Sequence, residues 1–518
     1  MSELKERIAR LSPARLALLA QRLGKGSAPD AGPPPIPRRP EAERAAPLSF
    51  AQERLWFLHR LEPESVVYNI ARAIRLRGRV ERQVFEQCFN EIVRRHDILR
   101  TTFAEHDGEP AQTVAPHTNV SIPVVDLSGL SAPEREAAAR AAAAEEAARP
   151  FDLVNGPLYR ISLLRLGEEE HVALFTLHHI VSDAWSTAVL VKELVALYGA
   201  FARGEASPLA PLPIQYADFA GWQRGWLRGA ALEELLGYWR RQLAGAPPVL
   251  SLPTDGQRRH APGGPQGARL SRTLPQALAV SVQTLSLKEK ATLFTTLLAL
   301  FNVLMHHYSA QEDIVVGSPI ANRNRAEVEG LIGFFVNTLA LRTDLSGNPT
   351  FRELLGRVRE MALGAYAHQD VPFAQVVKAV QSERTLSHTP LFQVVFHMNN
   401  VPTAALELPG LTLAPVEGLP VTVPFDLVMH AANTDAGLRL TLDYKPELFS
   451  AATAARMLAH YEGLLARVVS DPDATVGDLR AALALEDERA RAEREQELAE
   501  VSRQKFMTTR RKAVVAQI

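Results

Sequence analysis

The sequence predicts an α/β protein built as two lobes of roughly similar size. Three observations predict it. The chain has 518 residues, more than one ordinary hydrophobic core supports. Strand-like and helix-like segments alternate from Leu48 to about residue 484. A Pro-richer, loop-like stretch over about 205–265 divides that alternation into two mixed halves. The expected organisation is a helical linker or docking element over 1–24, a Pro-rich linker over 25–47, a first lobe over 48–222, a second over 223–484, and a charged tail or linker over 485–518.

In the opening, LSPARLALLAQRLG reads as a helix. Ser12 can cap it, Pro13 fits its first turn and Gly24 fits just past its end. GKGSAPDAGPPPIPRRPEAERAAP then reads as an extended linker, so the compact body is expected to begin near Leu48. YNIARAIRLRG alternates as a strand does, and ERQVFEQCFNEIVRRH is helical. Cys88 shares helical spacing with Val84 and Ile92, which makes it a core residue rather than a reactive thiol. VSIPVVDL and LYRISLLRLG read as strands, with APEREAAARAAAAEEAARP as a helix between them. HVALFTLHH is apolar on both faces, the pattern of a central strand. The helix after it carries Leu190, Leu194, Leu197 and Phe201 along one stripe. The second half shows helices in KATLFTTLLALFNVLMHHYS, FRELLGRVREMALGAYAH and AATAARMLAHYEGLLARVVS. Its strands are DIVVGSPI, LFQVVFHMNN and LRLTLDYK, with IGFFVNTLALRTDL as a further extended segment. His306 and His307 fall at a helix end, where cations suit the helix dipole, and receive no catalytic role.

Composition excludes several function classes. The net charge of −1 gives no electrostatic footprint for nucleic acid. A single cysteine cannot form an internal disulfide, as expected of a cytoplasmic protein. No apolar run of about 18 residues predicts a membrane span, and MSELKERIARL has no signal core. There is no G-x-x-x-x-G-K-[ST], no G-x-G-x-x-G and no G-x-S-x-G.

The chemistry concentrates in TLHHIVSDAWS (176–186). Successive strand residues point to opposite faces, so His178 and His179 cannot both face one cavity. One faces a cleft and the other packs inside. Asp183 is placed to cap the following helix, or to pair with an arginine from elsewhere. A histidine in a cleft suits proton transfer near neutral pH, as in acyl transfer to an amine or hydroxyl. The ligand types would suit a metal, but adjacent strand residues diverge and no further His/Cys cluster stands out, so no metal site is expected.

Seven segments in order raise a resemblance. LSFAQERLWFLHRL (48–61), RRHDILRTTF (94–103), LHHIVSDAWS (177–186), YADFAGW (216–222), IGFFVNTLALR (332–342), HQDVPFAQVV (368–377) and RTLSHTPLFQVVF (384–396) resemble the motifs of nonribosomal peptide synthetase condensation domains. The opening stretch is most similar to the L-to-L branch or the starter branch that takes a fatty acyl donor. The resemblance implies two chloramphenicol-acetyltransferase-like lobes in a V-shaped pseudo-dimer, with the active site at their junction. It implies amide-bond formation between an acyl or peptidyl thioester donor and an aminoacyl acceptor. Donor and acceptor carrier proteins would present both on phosphopantetheine, with adjacent adenylation or tailoring domains as further partners and no cofactor bound by the domain itself. No nucleic acid or membrane partner is expected, and the plain expectation is a monomer.

Carried over by position, His179 is the catalytic histidine, and His178 and Asp183 hold the active-site loop. The resemblance implies an arginine partner for Asp183: Arg100 is the first candidate, with Arg323 behind it. Asn337 is expected to face the substrate channel, and Ser318 and Trp185 are assigned there too, although tryptophans here generally read as core or junction packing. The family's motif ends in Gly where this chain has Ala184. If that position needs a positive φ, the loop shifts; if φ is ordinary, the cleft only narrows by a methyl group. Two other readings remain open: a condensation-like platform recruiting a carrier protein or tailoring enzyme, and a stand-alone coenzyme A-dependent acyltransferase.

Overall fold

The computed structural model describes residues 34–40, 43–258, 266–381, 389–399, 407–408, 410–416, 418–419, 421–489 and four positions between 491 and 496. The helices expected over 1–24, positions 384–388 and the basic end of the tail lie outside the described residues.

The first half opens with β1 (Ala45–Pro47), α1 (Phe50–Leu61), β2 (Asn69–Arg77) and α2 (Arg82–Arg95). It continues through β3 (Thr101–His106), β4 (Glu109–Val114), β5 (Val124–Asp126), α3 (Ala132–Ala147), β6 (Tyr159–Arg165) and β7 (Glu170–His178). It closes with α4 (Ala184–Phe201) and α5 (Tyr216–Trp226). The second half begins α6 (Gly229–Gln242), β8 (Gln266–Thr273), α7 (Gln276–Lys288), α8 (Leu293–Ser309), β9 (Asp313–Ile320) and the single-turn α9 (Ala326–Glu329). Then come β10 (Asn337–Asp344), α10 (Phe351–Ala367), α11 (Phe373–Val380), β11 (Val394–Asn399), β12 (Glu407–Leu408) and β13 (Leu411–Pro415). It ends with β14 (Val421–Thr422), β15 (Leu427–Thr434), β16 (Gly437–Tyr444), α12 (Ala451–Ser470) and a helix over 476–489.

Two large sheets organise these elements. One is ordered β12-β13-β2-β7-β6-β5 and the other β10-β9-β11-β15-β16-β8-β14, while β1, β4 and β3 form a small third sheet. β7 lies between β2 and β6, and Val172 to Leu177 are all buried, as its two apolar faces predict. Each large sheet carries its own core. Phe89, Phe103, Phe175 and Leu197 belong to the first; Phe301, Phe351, Phe396 and Tyr461 belong to the second. Val84, Cys88 and Ile92 lie in the first core on one face of α2, and burial pushes the Cys88 thiol up to about 12.

Four expectations are corrected. The folded body starts before Leu48: Ile36 joins the first core, β1 pairs with β4, and Trp222 Nε1 donates to the Pro34 carbonyl at 2.8 Å. The loop-like stretch over 205–265 contains α5 and α6, whose Tyr216 and Trp239 are almost wholly buried. The tail boundary at 485 falls inside the helix over 476–489, where Leu479 and Leu483 join the second core. The halves also interleave. β13 pairs antiparallel with β2, from Thr412↔Arg77 to Pro415↔Ile74, and Val328, Leu331, Ile332 and Phe335 pack in the first core.

Candidate active site

β7 ends at His178, a 3-10 turn carries His179–Val181, and α4 begins at Ala184. The strand pleat turns the two histidines apart. His178 points inward and is 3% exposed. Its Nδ1 accepts from the Ile180 N–H at 3.1 Å, and the rings of Phe151, Tyr68 and His59 surround it. Burial, with His179 and His59 nearby, pushes its pKa down to about 3. It is therefore a neutral packing residue.

His179 is half-buried on the other side. Its Nδ1 lies 2.8 Å from the Ser182 carbonyl, and its ring meets that of Phe334 edge-on at 5.0 Å. A carbonyl can only accept, so Nδ1 carries the proton and Nε2 keeps its lone pair. Burial lowers the His179 pKa; the Asp183 charge and the Ser182 carbonyl pull upward, and the Arg72 cation adds to the lowering. The geometry thus holds one imidazole neutral, in a fixed tautomer, with its basic nitrogen unspent.

Asp183 is fully buried and caps α4. Its Oδ1 accepts from the Ser186 N–H and Oγ, both at 2.7 Å, and its Oδ2 accepts from the Phe335 N–H at 3.0 Å. Arg323 completes the set at 3.3 Å. The Arg323 guanidinium also donates to the Val328 and Leu331 carbonyls and lies over the Phe335 ring at 4.0 Å. One carboxylate thus ties the histidine turn of the first half to residues 323–335 of the second. Ala184 stands exposed at the start of α4 with helical backbone, so its methyl group introduces no strain.

Residues 42–490 match the condensation-domain family. The chain belongs to that family. Over 442 residues the condensation domain is 50% identical to a linear gramicidin synthase polypeptide of Brevibacillus parabrevis, covering 85% of this chain and 6% of that protein. Phosphinothricin tripeptide synthetase PhsC of Streptomyces viridochromogenes is 42% identical over 91% of this chain and 43% of its own length. The chain therefore spans less than half of these synthetases. Among solved structures, the X-domain from teicoplanin biosynthesis superposes with a TM-score of 0.76 at 28% identity, covering 86% of this chain and 99% of that one. An X-domain from the same biosynthesis, solved in complex with OxyB, gives 0.75 at 30% identity, covering 86% of this chain and 98% of that one. The two-lobed chloramphenicol-acetyltransferase-like fold of nonribosomal peptide synthetase condensation domains is the fold of this chain.

Several assignments within the condensation domain need correction. Arg100 does not reach Asp183. It closes the turn after α2, pairing with Asp97 at 2.5 Å and donating to the Val93 and Ala115 carbonyls, because a local acid captures it first. Asn337 lines a cavity between the halves, with Phe50, Arg54, Phe334 and Phe373, but offers it no free polar group. Its Nδ2 donates to the Gln369 and Val371 carbonyls and its Oδ1 accepts from the Phe373 N–H, so it stitches residues 369–373 to β10. Ser318 is a 2% exposed residue inside β9, paired with Leu339, rather than an open lining residue. Trp185 joins the halves, its Nε1 donating to the Glu329 carbonyl at 2.9 Å, as the packing reading has it.

Further positioning residues emerge only in the fold. The Tyr216 hydroxyl donates to the Phe334 carbonyl at 2.6 Å and meets Ser49 Oγ at 2.8 Å. Gln52 Nε2 donates to the Ile180 carbonyl at 3.3 Å and so steadies the histidine turn. Ser49 and Gln52 form the capping box of α1, a spacing of S-x-x-Q that the sequence displays. Arg72 sits in an otherwise ordinary strand pattern and carries no such signal.

Proposed function

We propose that this condensation domain forms an amide bond between a carrier-bound acyl or peptidyl thioester and the amine of a carrier-bound aminoacyl acceptor. The observation that carries this reading is the fixed tautomer of His179, its Nδ1 held by the Ser182 carbonyl and its Nε2 left with a lone pair. The acceptor amine attacks the thioester carbonyl. A carbon–nitrogen bond forms and the carbon–sulfur bond breaks. His179 Nε2 takes the amine proton and returns it to the leaving thiolate. A thioester is already activated, so holding the amine in line supplies much of the acceleration. Asp183 and Arg323 act through the turn, keeping the ring in place. Both substrates would arrive on phosphopantetheine arms of carrier proteins, with no cofactor of the domain's own.

The test is a two-carrier assay, with one carrier holding an acyl or aminoacyl donor and the other an aminoacyl acceptor, read by intact-protein mass spectrometry. Transfer should fall roughly 10²- to 10⁴-fold in His179→Ala and stay close to wild type in Ala184→Gly, since Ala184 is unstrained. A second reading draws support from the X-domain solved with OxyB, in which a related fold meets another enzyme. No transfer across a broad donor panel, with both carriers still bound, would favour such a recruiting platform. Equal use of a soluble coenzyme A thioester would favour a stand-alone acyltransferase.

A further inference from the structure

Away from the histidine turn, three helices of the second half bring together His307, His460 and Asp487. His307 stands near the end of α8, His460 at the middle of α12, and Asp487 on the helix over 476–489. One ligand atom from each lies within 4.8 Å of the other two. Asp487 Oδ2 is 3.2 Å from His307 Nε2, and its Oδ1 is 3.5 Å from His460 Nε2. Zinc bonds of about 2.0–2.2 Å in a tetrahedron set ligand atoms roughly 3.3–3.5 Å apart. The gap from Asp487 Oδ2 to His307 Nε2 is close to that spacing, and the ligand atoms of the trio, all within 4.8 Å of one another, need only side-chain rotation to converge on one ion.

The surroundings are those that orient ligands. The Tyr308 hydroxyl holds His460 Nδ1 at 3.0 Å, which aims Nε2 at the carboxylate. Arg456 Nε lies 3.6 Å from Asp487 Oδ1 and would keep that oxygen while the other ligates. Such outer contacts fix ring orientation and carboxylate geometry at metal sites. His460 is buried, while His307 and Asp487 keep partial exposure and leave room for a solvent ligand.

We infer that His307, His460 and Asp487 form a site for a divalent cation of the zinc class, which clasps the helix over 476–489 to α8 and α12. This departs from the sequence expectation of no metal. Both His306 and His307 lie in the last turn of α8, as their place in the sequence predicts. His306 is buried with its Nδ1 on the Gln311 carbonyl, and His307 turns toward Asp487.

The test uses the untagged full chain, stripped with chelator and titrated with zinc chloride by calorimetry. Cobalt chloride serves as the optical probe. Saturable binding of one zinc per chain, a tetrahedral cobalt spectrum and a raised Tm are expected. His307→Ala and Asp487→Asn should each weaken zinc binding at least roughly 10-fold. Asp487→Asn preserves shape, and the cobalt spectrum of the unaltered chain is informative even where a variant folds poorly. No saturable zinc binding, an octahedral cobalt spectrum, or affinity that both variants leave unchanged would reduce the trio to a hydrogen-bonded cluster and overturn the inference.

Discussion

Asp183 is a carboxylate without solvent, held by two backbone N–H groups, one hydroxyl and one guanidinium. Removing one partner of a buried pair leaves an uncompensated charge, which costs about 3–5 kcal/mol. Arg323→Met should therefore lower stability in urea by that amount. Arg100→Ala loses only a partly exposed local pair and should cost about 1 kcal/mol. Equal losses would place the partner of Asp183 elsewhere. His178 makes a second prediction. Its folded pKa, about 3, lies below the unfolded value of 6.5. The neutral ring is favoured in the fold, so its contribution is complete above the unfolded value and is lost as pH falls from about 6.5 toward 3. Protonation also destroys the acceptor that Nδ1 offers to Ile180. His178→Asn keeps an acceptor without the titration, so its Tm should fall less than wild type between pH 7 and pH 4.5. At this scale the sequence revealed the paired histidines, their opposed directions and the capping aspartate, since all three follow from strand pleat and helix start. It did not reveal which arginine meets Asp183, because Arg323 lies 140 residues away and the chain path between them decides.

Between α5 and the residues before β10, close approach does the positioning. A Cβ built on Gly333 would meet the Tyr216 ring at 2.0 Å. Tyr216 is buried and its hydroxyl anchors both Ser49 and the Phe334 carbonyl, so the ring has nowhere to go. Gly333→Ala should cost about 1–3 kcal/mol, the usual range for overpacking, and should slow transfer by moving Phe334 off His179. Gly330→Ala, with its nearest neighbour 4.0 Å away, is the control and should leave stability close to wild type. Elements with a sustained pattern were legible: α2, α10 and α12 each carry an apolar stripe, α8 is buried on every face from Phe294 to His306, and β7 carries its apolar run. The two-residue strands β12 and β14 are too short to show any period, and they form because a neighbouring strand offers its edge. α5 and α6 were hidden by the Pro-rich flanks around them.

The two halves are woven together rather than hinged at a single crossover. β13 belongs to the second half in sequence and to the first sheet in space, and Leu408 and Leu411 enter the first core. Leu411→Asp puts a charge where the residue is 4% exposed, so β13 should detach and β2 amides should exchange hydrogen faster, while second-core amides keep their protection. Unchanged exchange at β2 would show that the pairing contributes nothing to the first sheet. A first half made alone would lack the strand that covers β2, leaving a row of bare N–H and C=O groups along its edge from Ile74 to Arg77. The same row would accept the corresponding hairpin of a second molecule. Two molecules trading that hairpin during folding would emerge as an entwined pair, so the history of a preparation, and not only its concentration, would set how many chains travel together.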